Sequence, residues 1–171
     1  MIPTLVISGP VGVGKTAAAM ELSILLEADG VAHTVVDLDA LTMTFPRPAD
    51  DRFGETLAVA NLAAVWRNSV AVGAKNLVIA RVIEQMSQVQ NFKEAVPGAR
   101  VTVAQLTAQE RDLRQRVRRR EIGSATSWHE ERSLHLARAL ATVDSDVVID
   151  TTGCPVRDVA ARLHAVVEWK R

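Results

Sequence analysis

The sequence has one cysteine, no tyrosine and no net charge, and each scarcity removes a class of protein. Cys154 alone can form neither an internal disulfide nor a multi-cysteine metal site, which suits a reducing compartment. Twenty Lys and Arg balance twenty Asp and Glu, so no global field draws the chain to nucleic acid or to an acidic membrane. Three Trp and three Phe supply no aromatic platform on which bases could stack. No apolar run approaches membrane-spanning length, and no basic leader or cleavage pattern precedes the first apolar segment, so a soluble, cytoplasmic protein is expected. Repeats and low-complexity linkers are also missing. The nearest break in composition, residues 45–51, reads as a loop, and 171 residues of which 48% are hydrophobic are expected to form one domain, 1–171.

What is present is concentrated near the start. Residues 9–16, GPVGVGKT, fit the phosphate-binding template G-x-x-x-x-G-K-[ST] without a mismatch. Glycines at 9, 12 and 14 let the backbone N–H groups of Gly9, Val11, Gly12, Val13, Gly14, Lys15, Thr16 and Ala17 curl around phosphate oxygens; Lys15 brings a cation to the β/γ-phosphates and the Thr16 hydroxyl is a Mg²⁺ ligand. The context agrees, because 4–8 (TLVIS) reads as a buried strand and 16–22 opens a helix whose positive dipole end would face the phosphates.

Beyond it, strands and helices alternate. A helix running to a stop at Asp29-Gly30 leads into a strand over 33–39, where alternation puts Asp37 and Asp39 on the same side of an extended backbone at the carboxyl end, the end at which open α/β sheets bind ligands. A helical pattern follows over 52–72, with Leu57, Ala60, Asn61, Ala64, Val65 and Asn68 on its apolar face and Trp66 in the core. The run 76–80 (NLVIA) is a central strand ending at Arg81, with no acidic residue of the Walker B kind. A helix over 84–95 and a strand over 100–106 come next, then a capping box, Thr107 with Glu110, that starts a helix carrying six arginines between 111 and 120. Small residues over 122–127 suit a mobile loop; a helix over 128–143, a strand over 146–150 and a helix over 155–169 complete the chain. The fold class is α/β, a five-stranded parallel sheet with helices on both faces.

This combination resembles the small-molecule kinases of the P-loop superfamily, with the nucleoside monophosphate kinase-like fold shared by shikimate, gluconate and adenylylsulfate kinases and chloramphenicol phosphotransferase. The resemblance spans nearly the whole chain and rests on GPVGVGKT, the D-x-D pair Asp37-Leu38-Asp39, the segment LRQRVRRREIG over 113–123 and VVIDTTG over 147–153. It implies strand order 2-3-1-4-5, a small helical lid over about 107–130 whose arginines close on the phosphates, and a loop after the fifth strand, with Gly153 and Pro155, beside the base. The first aspartate would hold Mg²⁺ or act as base and the second would contact the acceptor. Two departures stand out: the chain has neither the D-G-[FY]-P-R segment of adenylate kinases nor, at Ala80-Arg81, the glycine-rich acceptor loop of shikimate kinases.

Lys15 and Asp37 are therefore the expected catalytic groups, with Thr16 and Asp37 on the metal and Asp39, Arg52 and Arg81 toward the acceptor. At 100° per residue Arg116, Arg119 and Arg120 share one side of their helix while Leu113 and Val117 mark its buried seam, which selects those three as phosphate clamps and leaves Arg111, Arg114 and Arg118 on the surface. His129 reads as exposed. The partners expected are a nucleoside triphosphate, ATP or else GTP, with Mg²⁺ and a small hydroxyl-bearing acceptor, without nucleic acid or membrane. Two other readings share these features: a nucleotide kinase with a phosphate acceptor, to which the extra arginines lean, and a nucleotide-binding regulatory NTPase, which the missing Walker B acid fits.

Overall fold

A computed structural model describes residues 1–47, 49–51, 54–120 and 126–171, without the side chains of residues 120 and 126–128. Five strands, β1 (Ile2–Ser8), β2 (His33–Asp37), β3 (Asn76–Ala80), β4 (Ala99–Thr107) and β5 (Val147–Asp150), form one parallel sheet in the order β2-β3-β1-β4-β5. That is the order the resemblance implies. The central strand β1 lies between β3, with Leu5 opposite Val78, and β4, with Leu5 opposite Thr102. Successive side chains of a strand point to opposite faces, and β1 and β3 are apolar on both, as a doubly covered parallel sheet requires.

Among the described residues six helices cover the sheet: α1 (Lys15–Ala28), α2 (Glu55–Ala71), α3 (Gln88–Ala95), α4 (Glu110–Arg120), α5 (Thr126–Leu140) and α6 (Val156–His164). On one face Leu5, Ile7, Val78, Ala104 and Leu106 pack with Leu22 and Leu26 of α1, Leu113 of α4 and Val159 and Leu163 of α6. On the other, Val6, Leu77, Ile79 and Val103 meet Ala58, Leu62 and Trp66 of α2 and Val89 and Phe92 of α3. Trp66 is thus a core residue. Among the described residues no helix is long and apolar enough to cross a membrane.

Several boundaries and faces differ from the sequence reading, each for a local reason. Strand β2 stops at Asp37 instead of 39, because the Asp37 carboxylate accepts the N–H of Ala40 (3.0 Å) and bends the chain into a short 3₁₀ turn, Ala40–Thr42. Asp37 and Asp39 therefore do not share one side of an extended backbone. Helix α2 begins at Glu55, where the Asp51 carboxylate accepts the N–H groups of Glu55 (2.6 Å) and Thr56 (3.0 Å). Its buried seam is Ala58, Leu62 and Trp66, at i, i+4 and i+8, while Ala60, Ala64 and Asn68 are exposed; Trp66 covers far more area than any alanine and decides which face turns inward. Asn61 is the tie between α2 and the turn after β2, donating to the Leu41 carbonyl (2.6 Å). Helix α3 starts at Gln88, whose side-chain carbonyl accepts the N–H groups of Glu84 and Gln85 and keeps that stretch a turn. The Thr107–Glu110 capping box does not form: Thr107 ends β4, the Gln109 N–H donates to the Thr152 hydroxyl (3.0 Å), and the Glu110 carboxylate pairs with Arg138 (3.3 Å). Helix α6 ends at His164, and the tail turns back so that the Trp169 indole N–H donates to the His164 carbonyl (2.9 Å).

Candidate functional site

The phosphate loop joins β1 to α1 and is shaped by close approach. Gly9, at φ 142°, passes so near the end of β4 that a Cβ would lie 2.5 Å from the Leu106 carbonyl oxygen. Gly12, at φ 81°, runs beneath α4, where a Cβ would lie 2.7 Å from the Val117 Cγ2. Both positions demand glycine on conformation and on space. Ser133 of α5 donates to the Val11 carbonyl (2.6 Å), and the Lys15 ammonium folds back on the loop, donating to the carbonyls of Gly9 (3.0 Å) and Pro10 (3.2 Å). At the start of α1 the Thr16 hydroxyl donates to the Asp37 carboxylate (2.6 Å).

Three cavities lie in a row along the carboxyl ends of the strands. The first, about 260 Å³, is walled by Val13, Ala17, Leu106, Thr151, Cys154 and Val159 and is mostly apolar. Of the loop residues expected beside the base, neither Gly153 nor Pro155 lines it; Gly153 turns the loop at φ 64° and the Pro155 carbonyl accepts the first amides of α6. The second, about 500 Å³, holds Gly12, Lys15, Thr16, Asp37 and His129. The third, also about 510 Å³, lies between Arg81, Glu55, Glu84, Gln88 and Arg132. Arg116, Gly14 and Ala17 belong to both the first and the second, and Asp39 and Val11 to both the second and the third.

The two aspartates have parted roles. Asp37 faces the phosphate loop through Thr16. Asp39 stands at the junction of the second and third cavities, 3.5 Å from the Arg81 guanidinium. Burial pushes the Asp39 carboxyl above the usual aspartate range, against the lowering pull of Lys15 and Arg81. Arg81 is buried at 5% exposure and its fork is engaged by Glu55 (2.8 Å), the Thr42 hydroxyl (3.3 Å) and the Leu38 carbonyl (3.5 Å).

The arginines of α4 divide as well. Arg116 reaches across to the site, one guanidinium nitrogen donating to the Val13 carbonyl (2.9 Å) and the Thr151 hydroxyl (2.9 Å) and the other to the Thr151 carbonyl (2.9 Å). Arg119 is exposed and lines none of the three cavities. The side chain of Arg120, all of Arg52 and residues 122–125 of the mobile loop expected over 122–127 lie outside the described residues, while 126 and 127 already belong to α5. Arg114 and Arg118 pair with Glu110 (3.9 Å) and Glu130 (2.6 Å) on the surface.

Some wall residues escape sequence reasoning. Glu55, the Glu84–Gln88 stretch and Arg132 come from three separate parts of the chain, each with the look of a solvated helix or loop surface, and only the fold gathers them. His129 was expected on the surface but is half-buried in the phosphate cavity, because α5 lies over the loop.

Thr16 and Asp37 suit Mg²⁺, since a hydroxyl and a carboxylate are the hard oxygen donors that ion takes and the two are already held together on the floor of the phosphate cavity. A glycine-rich loop flanked by an apolar slot on one side and a polar cavity on the other sits on a fold shared with known structures. The gluconokinase of Sinorhizobium meliloti 1021 matches with a TM-score of 0.63 at 18% identity, over 95% of this chain and 90% of that one. The fold is that of the P-loop small-molecule kinases. The tunicamycin resistance protein of Deinococcus radiodurans matches with a TM-score of 0.64 at 19% identity, over 100% and 99% of the two chains. Shikimate kinase from Acinetobacter baumannii, in complex with shikimate, gives 0.57 at 21%, over 95% and 91%. No protein-family model and no curated protein matches the sequence.

Proposed function

We propose that this P-loop kinase-fold chain is a cytoplasmic phosphotransferase that moves the γ-phosphoryl group of ATP, or of GTP, to a hydroxyl of a small metabolite, nucleoside or antibiotic. The observation that carries the reading is the row of three cavities, in which the phosphate loop stands between an apolar slot sized for a base and a separate polar cavity sized for an acceptor. A regulatory NTPase has no use for the third cavity.

In this reading the loop amides of residues 9–17, at the N-terminus of α1, bind the phosphates, and Lys15 leaves the Gly9 and Pro10 carbonyls to meet the β/γ oxygens. Thr16 and Asp37 would hold Mg²⁺, which when bound offsets phosphate charge. Asp39, reachable from both neighbouring cavities, orients the acceptor hydroxyl and takes its proton as the acceptor oxygen bonds to the γ-phosphorus and the bond to the β–γ bridging oxygen breaks. A carboxylate whose pKa is raised is a better proton acceptor than an ordinary one. Arg116 keeps the phosphate loop and the base-side loop in register; the sequence assigns Arg119 and Arg120 to the phosphates on lid closure and Arg52 to the acceptor. Catalysis is then positional and electrostatic.

Asp37→Asn tests the metal assignment. Transfer is expected to fall by orders of magnitude while affinity for metal-free nucleotide stays at the wild-type value in calorimetry; undiminished transfer would remove Asp37 from the mechanism.

A further inference from the structure

The third cavity carries more information than its size. Among the described residues its walls hold three carboxylates, Asp39, Glu55 and Glu84, against two guanidiniums, Arg81 and Arg132. Both guanidiniums are engaged: Arg81 with Glu55 (2.8 Å) and Asp39 (3.5 Å), and Arg132 with Glu84. The amide of Gln88 is likewise committed, its nitrogen donating to Glu55 (3.1 Å) and its oxygen accepting the N–H groups of Glu84 and Gln85. Donors are therefore taken up inside the wall. The hydrogen bonds that Glu55 and Glu84 accept from these donors each fall on a single carboxylate oxygen.

A pocket built this way offers acceptors and excess negative charge to whatever enters it. A carboxylate or phosphate on the acceptor would need a guanidinium, and among the described wall residues obtaining one means breaking an ion pair and leaving a carboxylate without its partner. A hydroxyl or an ammonium group needs only the oxygens that are there. Resting on the phosphotransferase reading, we propose that the acceptor is a hydroxylated amine, an amino alcohol or amino sugar, whose ammonium group is bound by the Glu55–Glu84 side of the cavity while its hydroxyl faces Asp39. The cavity's volume of about 510 Å³ is sufficient for a compound of one to two sugar rings.

A series of sugars alike in size but different in charge tests this. The full chain, with and without Mg²⁺ and a non-hydrolysable ATP analogue, is titrated by calorimetry with glucosamine, glucose and gluconate, and with kanamycin and shikimate as larger and cyclic probes. The amines are expected to bind at least tenfold tighter than their neutral and acidic counterparts. Glu84→Gln, at an exposed position, is expected to keep the wild-type unfolding midpoint, weaken the amines about tenfold and strengthen gluconate or shikimate by removing one negative charge from the wall. Tighter binding of the acids by the wild type, no response to any amine, or amine affinity untouched in Glu84→Gln overturns the proposal. Amine binding by a protein that does not bind the nucleotide analogue would sustain the charge preference and contradict the phosphotransferase reading instead.

Discussion

Arg116 ties together the two loops between which a nucleotide base would sit, and Arg116→Lys measures that tie. The guanidinium joins the Val13 carbonyl through one nitrogen and the Thr151 carbonyl through the other, at 2.9 Å each, with a further 2.9 Å bond to the Thr151 hydroxyl. Lysine keeps the charge but concentrates its donors on one nitrogen, so it can serve one loop and not both. A hydrogen bond involving a charged group is worth about 1.5–3 kcal/mol. Losing two at a half-buried position that water can partly refill leaves a deficit of about 2–3 kcal/mol. For a chain of 171 residues that corresponds to a fall in melting temperature of roughly 4–12 °C. The assay is thermal and urea unfolding without nucleotide, followed by nucleotide titration, in which affinity should also drop because the base-side loop is no longer held against the phosphate loop. A clamp that acts only on phosphate predicts the reverse pattern. An unchanged unfolding midpoint without nucleotide, together with slowed transfer, would refute the tie and leave Arg116 with the clamp role alone.

Gly9→Ala is expected to destabilise by more than about 2 kcal/mol in urea unfolding, since it adds backbone strain to a 2.5 Å collision with the Leu106 carbonyl; wild-type stability would contradict the packing of the loop on β4. Asp39→Asn should all but abolish transfer while leaving the protein at least as stable at neutral pH. The sign follows from the raised pKa: ionising Asp39 costs folding free energy, and that cost grows as pH rises from the unfolded-state value through the higher folded-state one. The stability advantage of the variant should therefore shrink in acid, and a variant less stable at pH 7 than at pH 4 relative to wild type would reverse the assignment. In the wild type, the rate should rise with pH through a value above that of an ordinary aspartate.

Local chemistry was legible where a few adjacent residues determine it. GPVGVGKT announces a loop between strand and helix because glycine, lysine and a hydroxyl are needed at set spacings, and residues 9–14 join β1 to α1, which opens at Lys15. The apolar runs at 4–8 and 76–80 read as central strands because a doubly covered sheet tolerates no polar face there. Leu113 and Val117 read as the buried seam of α4 from their spacing alone, and both are buried. Strand order came from resemblance, since crossover direction leaves no mark on periodicity.

What was not legible depends on side chains that meet only in three dimensions. A strand to 39 was the natural reading of V-V-D-L-D, yet a single hydrogen bond from Ala40 to Asp37 turns the chain, so that Asp37 meets Thr16 in the second cavity while Asp39 also reaches the third. The α2 face was misjudged because alanines at helical spacing look apolar but bury little, and Trp66 outweighs them. Nothing in the segment around Glu84 or Arg132 distinguishes a cavity wall from a solvated surface, and their ion pair spans 48 residues.

The central claim is that this chain transfers a phosphoryl group from a nucleotide held by residues 9–16. Phosphorus NMR of purified protein with Mg²⁺, ATP and a mixture of hydroxylated acceptors addresses it most directly, run in parallel on the wild type and Lys15→Ala. Loss of the γ-phosphate resonance and growth of a phosphomonoester resonance are expected in the wild type, both abolished in Lys15→Ala with its fold intact. Unaltered ATP and no nucleotide binding by the wild type, or equal turnover by Lys15→Ala, would contradict it.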